Sequence, residues 1–420
     1  MANSFSKEER VAFENVLEGF NDLEVMAKAV KKYNTDSTTM ARTDNTIWRP
    51  MPYIAQSFSG TDQTGNFKPA TQLSVPARLG YNKAAPFAMS AMELRDALQE
   101  GRLGEAGKQK LASDINVACM AVAANQGTLF VKRTAAATGF DDVAQCDTIM
   151  NRIGVPAWDR HIALSSGDYN GMANNLATRG TMTGKPTTAY ERALIGENIA
   201  GFVAHKLDYA NRLTAKAHSG LTIDTRASAG NYYVPVATST ASSGETGNVD
   251  NRYQTITPSA TTSVVAGDAI TIDGVYEVHH ITKQSTGELK SFRVMSVGTS
   301  TMVISPPIIS AQGGSDAELQ YQNCTVTTSA TAGITGLNTV TKAVNPFWQY
   351  DAIELMPGRY AVPADAGAAV MRGTTDSGIE LVMQKQYDIN TMTTFFRFDT
   401  LFGVTMTQPE HCGIMMFSQT

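Results

Sequence analysis

Six histidines, four cysteines and one glycine-rich stretch are the groups in this 420-residue chain that could do chemistry, and their spacing assigns them none. Gly180–Lys185 reads GTMTGK, close to a phosphate-binding loop. It has one residue too few between its glycines, and Pro186 stands where a Ser or Thr would reach magnesium. His279 and His280 fall in a segment that reads as a strand, where neighbours point to opposite faces and cannot conveniently hold one metal. His161, His205, His218 and His411 show no HExxH or comparable spacing, and no GxSxG elbow occurs. Cys119, Cys146, Cys324 and Cys412 are scattered without a CxxC pair, which reads as reduced thiols in a protein made in a reducing cytoplasm. Asn323-Cys324-Thr325 fits a glycosylation sequon, but the N-terminus, MANSFSKEER, is polar and charged and carries no mark of a signal peptide. No catalytic residue, cofactor loop or metal ligand is expected, and so no enzyme.

Composition narrows the classes further. The chain is 42% hydrophobic and 17% charged, with a formal net charge of -5. A dedicated nucleic-acid binder would show basic clustering, and Lys and Arg occur here at most in pairs such as Lys31-Lys32. The longest apolar run, Val117–Ala124, is too short to span a bilayer. The length suits about two to four domains.

The elements that must organise such a chain begin with Glu105–Phe130. Leu111, Ile115, Ala118, Val122 and Leu129 recur at helical spacing, which predicts a helix. About 22 residues at about 1.5 Å each make a rod of roughly 33 Å. Gly101, Gly104 and Gly107 predict a break between it and a shorter helix at Met92–Glu100. Alternating segments at Gly378–Gln386, Thr393–Phe398 and Leu401–Thr407 supply the sheet that a long one-sided helix needs. Ser6 and Glu9 form a capping box, so a helix should start near Lys7, with a second at Asp22–Tyr33. Their acidic residues, Glu8, Glu9 and Glu14 among them, suit an amphipathic arm that packs on the body or docks on a partner.

Strand-like residues from Asn45 to Phe58 and the period-2 set Leu73, Val75, Ala77, Leu79 and Tyr81 predict a long hairpin. Its tip, Ser59–Pro69, is turn-rich. Such an arm would be exposed along an edge in a monomer, so a neighbouring subunit should cover it, with Phe58, Asp62, Phe67 and Lys68 as contact candidates. A small α+β unit follows, with helices at Asp141–Ile149, Asp168–Leu176 and Tyr190–Ile195 and a strand at His161–Leu164. From Leu221 to Val340 the chain turns to Thr, Ser, Gly and Val. Strands are expected at Asn231–Ala237, Tyr253–Thr257, Ala269–Ile272, Val275–Ile281, Ser291–Val297, Met302–Ile304 and Leu319–Thr327, with Ser239–Asp250 a long polar loop. Short strands at this spacing predict an inserted antiparallel barrel or sandwich. Asp250 and Arg252 lie two apart and face one side of an extended segment; they could meet one partner surface, or pair with each other.

Asn45–Pro50 (NTIWRP), Asn248–Arg252 (NVDNR), Ser259–Thr262 (SATT), Gly267-Asp268 and Asn345–Ile353 (NPFW, then DAI) supply a further argument through their order and spacing. Together with the chain length, they resemble the major coat proteins of short-tailed podophages of the lederbergvirus (Salmonella phage) type. The resemblance implies an α+β HK-ninety-seven-type capsid fold. Its parts would be an N-terminal helical arm (1–44), an E-loop hairpin (45–88) and a peripheral domain with the spine helix and sheet (89–135 and 364–420). An axial domain (136–220 and 341–363) would carry an inserted β-barrel domain (221–340). It also implies hexamers and pentamers of this chain in an icosahedral virion capsid, assembled in the host bacterial cytoplasm with scaffolding and portal proteins and expanding as double-stranded DNA is packaged. DNA contact would be weak and non-specific, and no membrane is involved. In relatives the loop at Asn248–Arg252 looks like one that reaches a neighbouring capsomer. An encapsulin-like cellular shell and an enzyme with a β-sandwich insert are the alternatives.

Overall fold

In the computed structural model the described residues are 7–33, 45–52, 57–93, 97–178, 185–216, 218, 220–362 and 368–420. They fall into two compact units. One holds Met1–Ile47, Ala77–Met120 and Ile353–Thr405; the other holds Trp48–Pro76, Ala121–Ala352 and Met406–Thr420.

The first unit is a helix-backed sheet. Strand Thr393–Met406 pairs antiparallel with Tyr81–Ser90, from Thr393 opposite Ser90 to Phe402 opposite Tyr81, and on its other side with Glu380–Asp388. The two expected strands at 393–398 and 401–407 are therefore one. The long helix is Ala97–Gln126, and the glycines expected to break it lie inside it. The small size of one of them is used in packing: a Cβ on Gly107 would come within 3.2 Å of the Phe398 ring. Tertiary contact overrides the helix propensity of glycine here. Of the shorter helix expected at 92–100, residues 97–100 belong to the long helix, Met92 lies in a turn, and 94–96 lie outside the described residues.

The arm begins as expected, with helix Lys7–Leu23; the Ser6 cap lies outside the described residues. The second helix shrinks to Val25–Lys28. Lys31–Lys32 instead joins the sheet, parallel to Ile353–Pro357. The buried amide of Met26 donates to Asn116 Oδ1 on the long helix at 3.1 Å. Between the two arm helices Glu24 is fully buried, and its carboxylate oxygens have no hydrogen-bond partner among the described residues. Burial pushes its pKa up to about 7, against the pull of the Ser377 hydroxyl and the Lys32 and Lys28 ammonium groups.

The second unit is built on a mixed sheet. Its order is Leu129–Lys132, Cys412–Met416, Asn345–Gln349, Arg160–Leu164, Phe202–Lys206, Asn198–Ile199. Helices Phe140–Ile153, Ser166–Ala177 and Lys185–Arg192 accompany it. Ser165 caps the second of these by accepting from Asp168 N. Ala193, at φ 50, ends the third, which lies earlier in the chain than its apolar pattern suggested. Val143, Cys146, Met150, Ile162, Phe202, Phe347 and Met415 share one core.

Within this unit the all-β segment departs from the mixed sheet at Arg212–Leu213 and returns at Lys342–Ala343, and the two stretches pair with each other antiparallel. Buried Asn338 ties the neck. Its side chain donates to Thr214 O and Asp268 Oδ1 and accepts from Ala269 N. Beyond the neck an antiparallel sheet runs Thr222–Ile223, Ala332–Gly336, Ala269–Val278, Ser285–Val297, Met302–Ser305, Gln254–Ile256. Its ends approach each other, because Ser259 N donates to Thr222 O at 2.8 Å and Ser259 Oγ accepts from Thr222 N at 3.0 Å.

Four local expectations change within this segment. The two strands at 269–281 are one, its register shifting between Thr271 and Tyr276 around Gly274 at φ 76. Residues 231–237 form no ladder. The polar loop after Ser239 contains a hairpin, Thr238–Thr240 with Thr246–Asn248. Residues 319–327 open as helix Asp316–Tyr321, because Ser315 and Glu318 form a reciprocal capping box, before strand Cys324–Val326.

Two consequences can be measured. A Cβ on Gly403 would collide with the Arg78 carbonyl oxygen. Gly403→Ala should cost about 1–3 kcal/mol as overpacking and lower the subunit melting temperature by several degrees; an unchanged melt would contradict this packing. Glu24 is raised in the folded state, so its contribution is fully present below the ordinary carboxylate value of 4.5 and is lost as pH rises toward about 7. Glu24→Gln should therefore raise the melting temperature above pH 7 and flatten the decline between those values, with little effect in acid. Equal pH profiles for the two proteins would show that the carboxyl is not held neutral.

Candidate functional site

The groups able to do chemistry are dispersed or internally occupied. Among the described residues no three His, Cys, Asp or Glu side chains stand together as a metal site. All four cysteines are free and buried. Burial pushes the Cys119 and Cys324 thiols up to about 12 and the other two higher still, so none offers a thiolate. His161 and His205, on adjacent parallel strands, approach at 3.2 Å between ring nitrogens, and His161 also stacks on Trp348. Burial lowers both, His205 to about 4. His279 accepts the Ile281 and Thr282 amides with Nδ1 and so shapes a turn. Gly180 and the rest of 179–184 lie outside the described residues.

The hairpin does have an exposed tip. Phe67 is 90% exposed, and Phe58, earlier in the same connection, is also exposed. Asp62 accepts Thr64 N at 2.9 Å, a local turn contact, and the Thr64 hydrogen bonds hold its carboxyl below the usual range. Lys68 pairs with Asp316 at 2.8 Å on the surface. The returning segment is laid on helix Asp316–Tyr321 of the inserted segment. Thr71 N donates to Gln320 Oε1, Gln320 Nε2 donates to Pro69 O, and Tyr321 OH donates to Thr71 O. Leu73, Val75 and Ala77 then turn one buried face inward. Nothing in the sequence pattern pointed to this docking except the Ser315-x-x-Glu318 helix start.

Asp250 and Arg252 face each other. Arg252 is buried; its guanidinium forks onto the Asp250 carboxylate, at 2.9 Å from Nε and 2.6 Å from Nη2, and Nη1 donates to Met406 O at 2.7 Å. Asn251 between them is also buried, accepting Tyr233 OH and Val236 N and donating to Val236 O. The NVDNR segment is thus the anchored base of the 238–248 hairpin, whose own residues are exposed. In the arm, Glu9 is buried and paired with Lys385, Glu14 is exposed, and the Glu8 side chain lies outside those described.

Sequence reasoning missed a second exposed apolar group. Met92 (83% exposed) follows Ser90, Ile389 (78%) and Met392 lie in the turn joining strands Glu380–Asp388 and Thr393–Met406, and Phe395 lies at the start of the second of these strands; Ala91 N donates to Met392 O. Exposed large apolar side chains that cluster mark contact surfaces. No helix among the described residues is long and apolar enough to cross a membrane.

Comparison with known proteins supplies what internal chemistry does not. The family model described as P22 coat protein, gene protein 5, matches residues 1–418. Among solved structures, one from Mycobacterium phage Che8 is 10% identical over 93% of this chain and 90% of that one, with a TM-score of 0.45. The bacteriophage PhiM1 mature capsid is 7% identical over 99% and 88%, with a TM-score of 0.42. The CUS-3 coat protein I-domain is 33% identical over 31% of this chain and 96% of that one, with a TM-score of 0.20. On the family match, which runs nearly end to end, the chain belongs to the P22 coat protein family: it is a major capsid protein of a tailed phage, an α+β HK-ninety-seven-type fold with an inserted antiparallel β domain, and a structural protein, not an enzyme.

Proposed function

We propose that this capsid subunit, which assembles with copies of itself into an icosahedral shell, does so in the host cytoplasm around an internal scaffolding protein. The resulting procapsid has one portal vertex and expands as double-stranded DNA enters. The observation that carries the reading is Phe67, 90% exposed in the long connection between the paired strands Thr46–Pro50 and Ser74–Arg78. An exposed ring of this size gains by burial against a neighbour. The net charge of -5 suits a wall that confines DNA without gripping it; a basic lining would bind phosphates in proportion to its cations.

In this reading 1–44 is the N-terminal arm and 45–88 the E-loop. Residues 89–135 and 364–420 are the peripheral domain, 136–220 and 341–363 the axial domain, and 221–340 the inserted β domain. Phe58, Asp62, Phe67 and Lys68 meet a neighbouring subunit, and Glu14 is the arm carboxylate free to meet scaffold. Asp250 and Arg252 act between capsomers indirectly, by fixing the base of the hairpin that reaches out. The family match does not favour an encapsulin-like cellular shell or an enzyme with a β-sandwich insert.

Two substitutions separate the roles. Phe67→Asp should leave the subunit melting temperature within about 2 °C, since exposed substitutions usually change stability by under about 0.5 kcal/mol. It should sharply cut the yield of closed shells formed with scaffolding protein, counted by electron microscopy and sedimentation. Normal shells at normal yield would remove the hairpin tip from the contact. Arg252→Ala strands the Asp250 carboxylate and the Met406 carbonyl, which should cost about 1–3 kcal/mol in the unassembled subunit. A lost shell with an unchanged melt would mean that Arg252 contacts a neighbour directly.

A further inference from the structure

A cavity of about 250 Å³ in the second unit serves none of the roles above. Met51, Leu73, Pro306, Pro307 and Ile309 give it apolar walls, and His280, Lys283, Glu410 and His411 bring polar groups to it. The charges around it do not balance. Lys290 and Asn323 Nδ2 occupy the Glu410 carboxylate, and Arg252 closes on Asp250. Lys283 donates to the Gln322 carbonyl at 3.0 Å and forms no ion pair among the described residues. His280 and His411 meet edge-on at 5.9 Å. Nε2 of the first and Nδ1 of the second are buried without a hydrogen-bond partner among the described residues. Burial lowers both rings, to about 4 and about 3, so each is a neutral imidazole with one N–H. Buried polar atoms in native proteins are nearly always paired, and each exception calls for a partner.

One uncompensated cation, two spare imidazole nitrogens and apolar walls complement one ligand chemistry. Water could satisfy the nitrogens but would neither neutralise Lys283 nor cover the Pro and Leu walls. A phosphate dianion would bring more charge than one ammonium balances and no apolar body. The volume falls just below the roughly 300 Å³ at which drug-sized pockets begin, enough for a single ring or a short branched chain. We propose that this cavity binds a small monocarboxylate with an apolar body. The carboxylate would lie on the Lys283 ammonium and the His280 imidazole, and the hydrocarbon against Pro306, Pro307 and Ile309. The cavity shares Met51, Leu73 and Arg252 with the hairpin segment and its neighbouring base, but its test does not require assembly.

Benzoate is the probe, with benzyl alcohol as its uncharged counterpart, each titrated into the unassembled full-length chain by calorimetry and followed by thermal melts. Benzoate should bind saturably and raise the melting temperature, and benzyl alcohol should bind about tenfold or more weakly, the difference that one charge-assisted hydrogen bond makes. Burial lowers Lys283 to about 8, with Glu410 opposing that shift and Lys290 adding to it. The ammonium is the anion's partner, so benzoate affinity should hold below about 8 and fall as pH rises beyond it. Lys283→Met should abolish the preference for benzoate over the alcohol. No saturable binding, equal binding of the two compounds to the wild-type chain, or benzoate binding unmoved by Lys283→Met would each overturn the proposal. The wild-type comparison decides the matter even if the variant folds poorly.

Discussion

The second unit depends on Cys412–Met416, a strand late in the sequence that sits inside its sheet, one strand from the edge. Cys412–Met416 lies between Leu129–Lys132, parallel to it, and Asn345–Gln349, antiparallel to it. The fit requires a residue without a side chain: a Cβ on Gly413 would fall 2.5 Å from both the Leu129 side chain and the Phe347 ring. Until this strand is in place, the outer strand at 129 has no partner and the core around Phe347, Ile162 and Met415 stays open. The fold is therefore non-local. Long excursions from such a sheet are tolerable because loop-closure entropy grows only slowly with length, and the inserted β segment is one such excursion. Its exit and return strands pair at the neck, where the buried side chain of Asn338 fills three hydrogen bonds.

Three ion pairs of this protein are turned inward. Arg252 with Asp250, Lys290 with Glu410 and Lys385 with Glu9 fix a hairpin base, a turn and the arm. Each pair has at least one partner buried, where breaking it strands the other charge. Large apolar side chains face solvent in two places: Phe58 and Phe67 in the connection between strands Thr46–Pro50 and Ser74–Arg78, and Ile389, Met392 and Phe395 at one end of the first unit's sheet. A subunit that must exist alone and then close into a shell needs internal locks that survive assembly and contact surfaces that gain from burial only when a neighbour arrives.

Much of this was legible in the residues. The first arm helix, the inserted β segment and the strand at Arg160–Leu164 follow from period and caps. The glycines of the long helix misled because their effect on propensity is local, whereas the Phe398 ring that packs tightly over Gly107 comes from distant sequence. Cys412–Met416 was not read as a strand because it is buried on both faces and shows no alternation. Ser315 with Glu318 repeated the signature used at Ser6 and Glu9, yet strand-rich surroundings hid it. For the contact surfaces, composition located the turn-rich tip, but two charges two residues apart could not say whether they faced a partner or each other. That choice was made by the Met406 carbonyl, far along the chain.

The most direct measurement is sedimentation and negative-stain microscopy of the purified full-length chain, incubated with and without a scaffolding protein. The account predicts closed, uniform, megadalton shells when scaffold is present and small capsomers or subunits before it is added. A chain that stays a small, discrete oligomer under both conditions would contradict it.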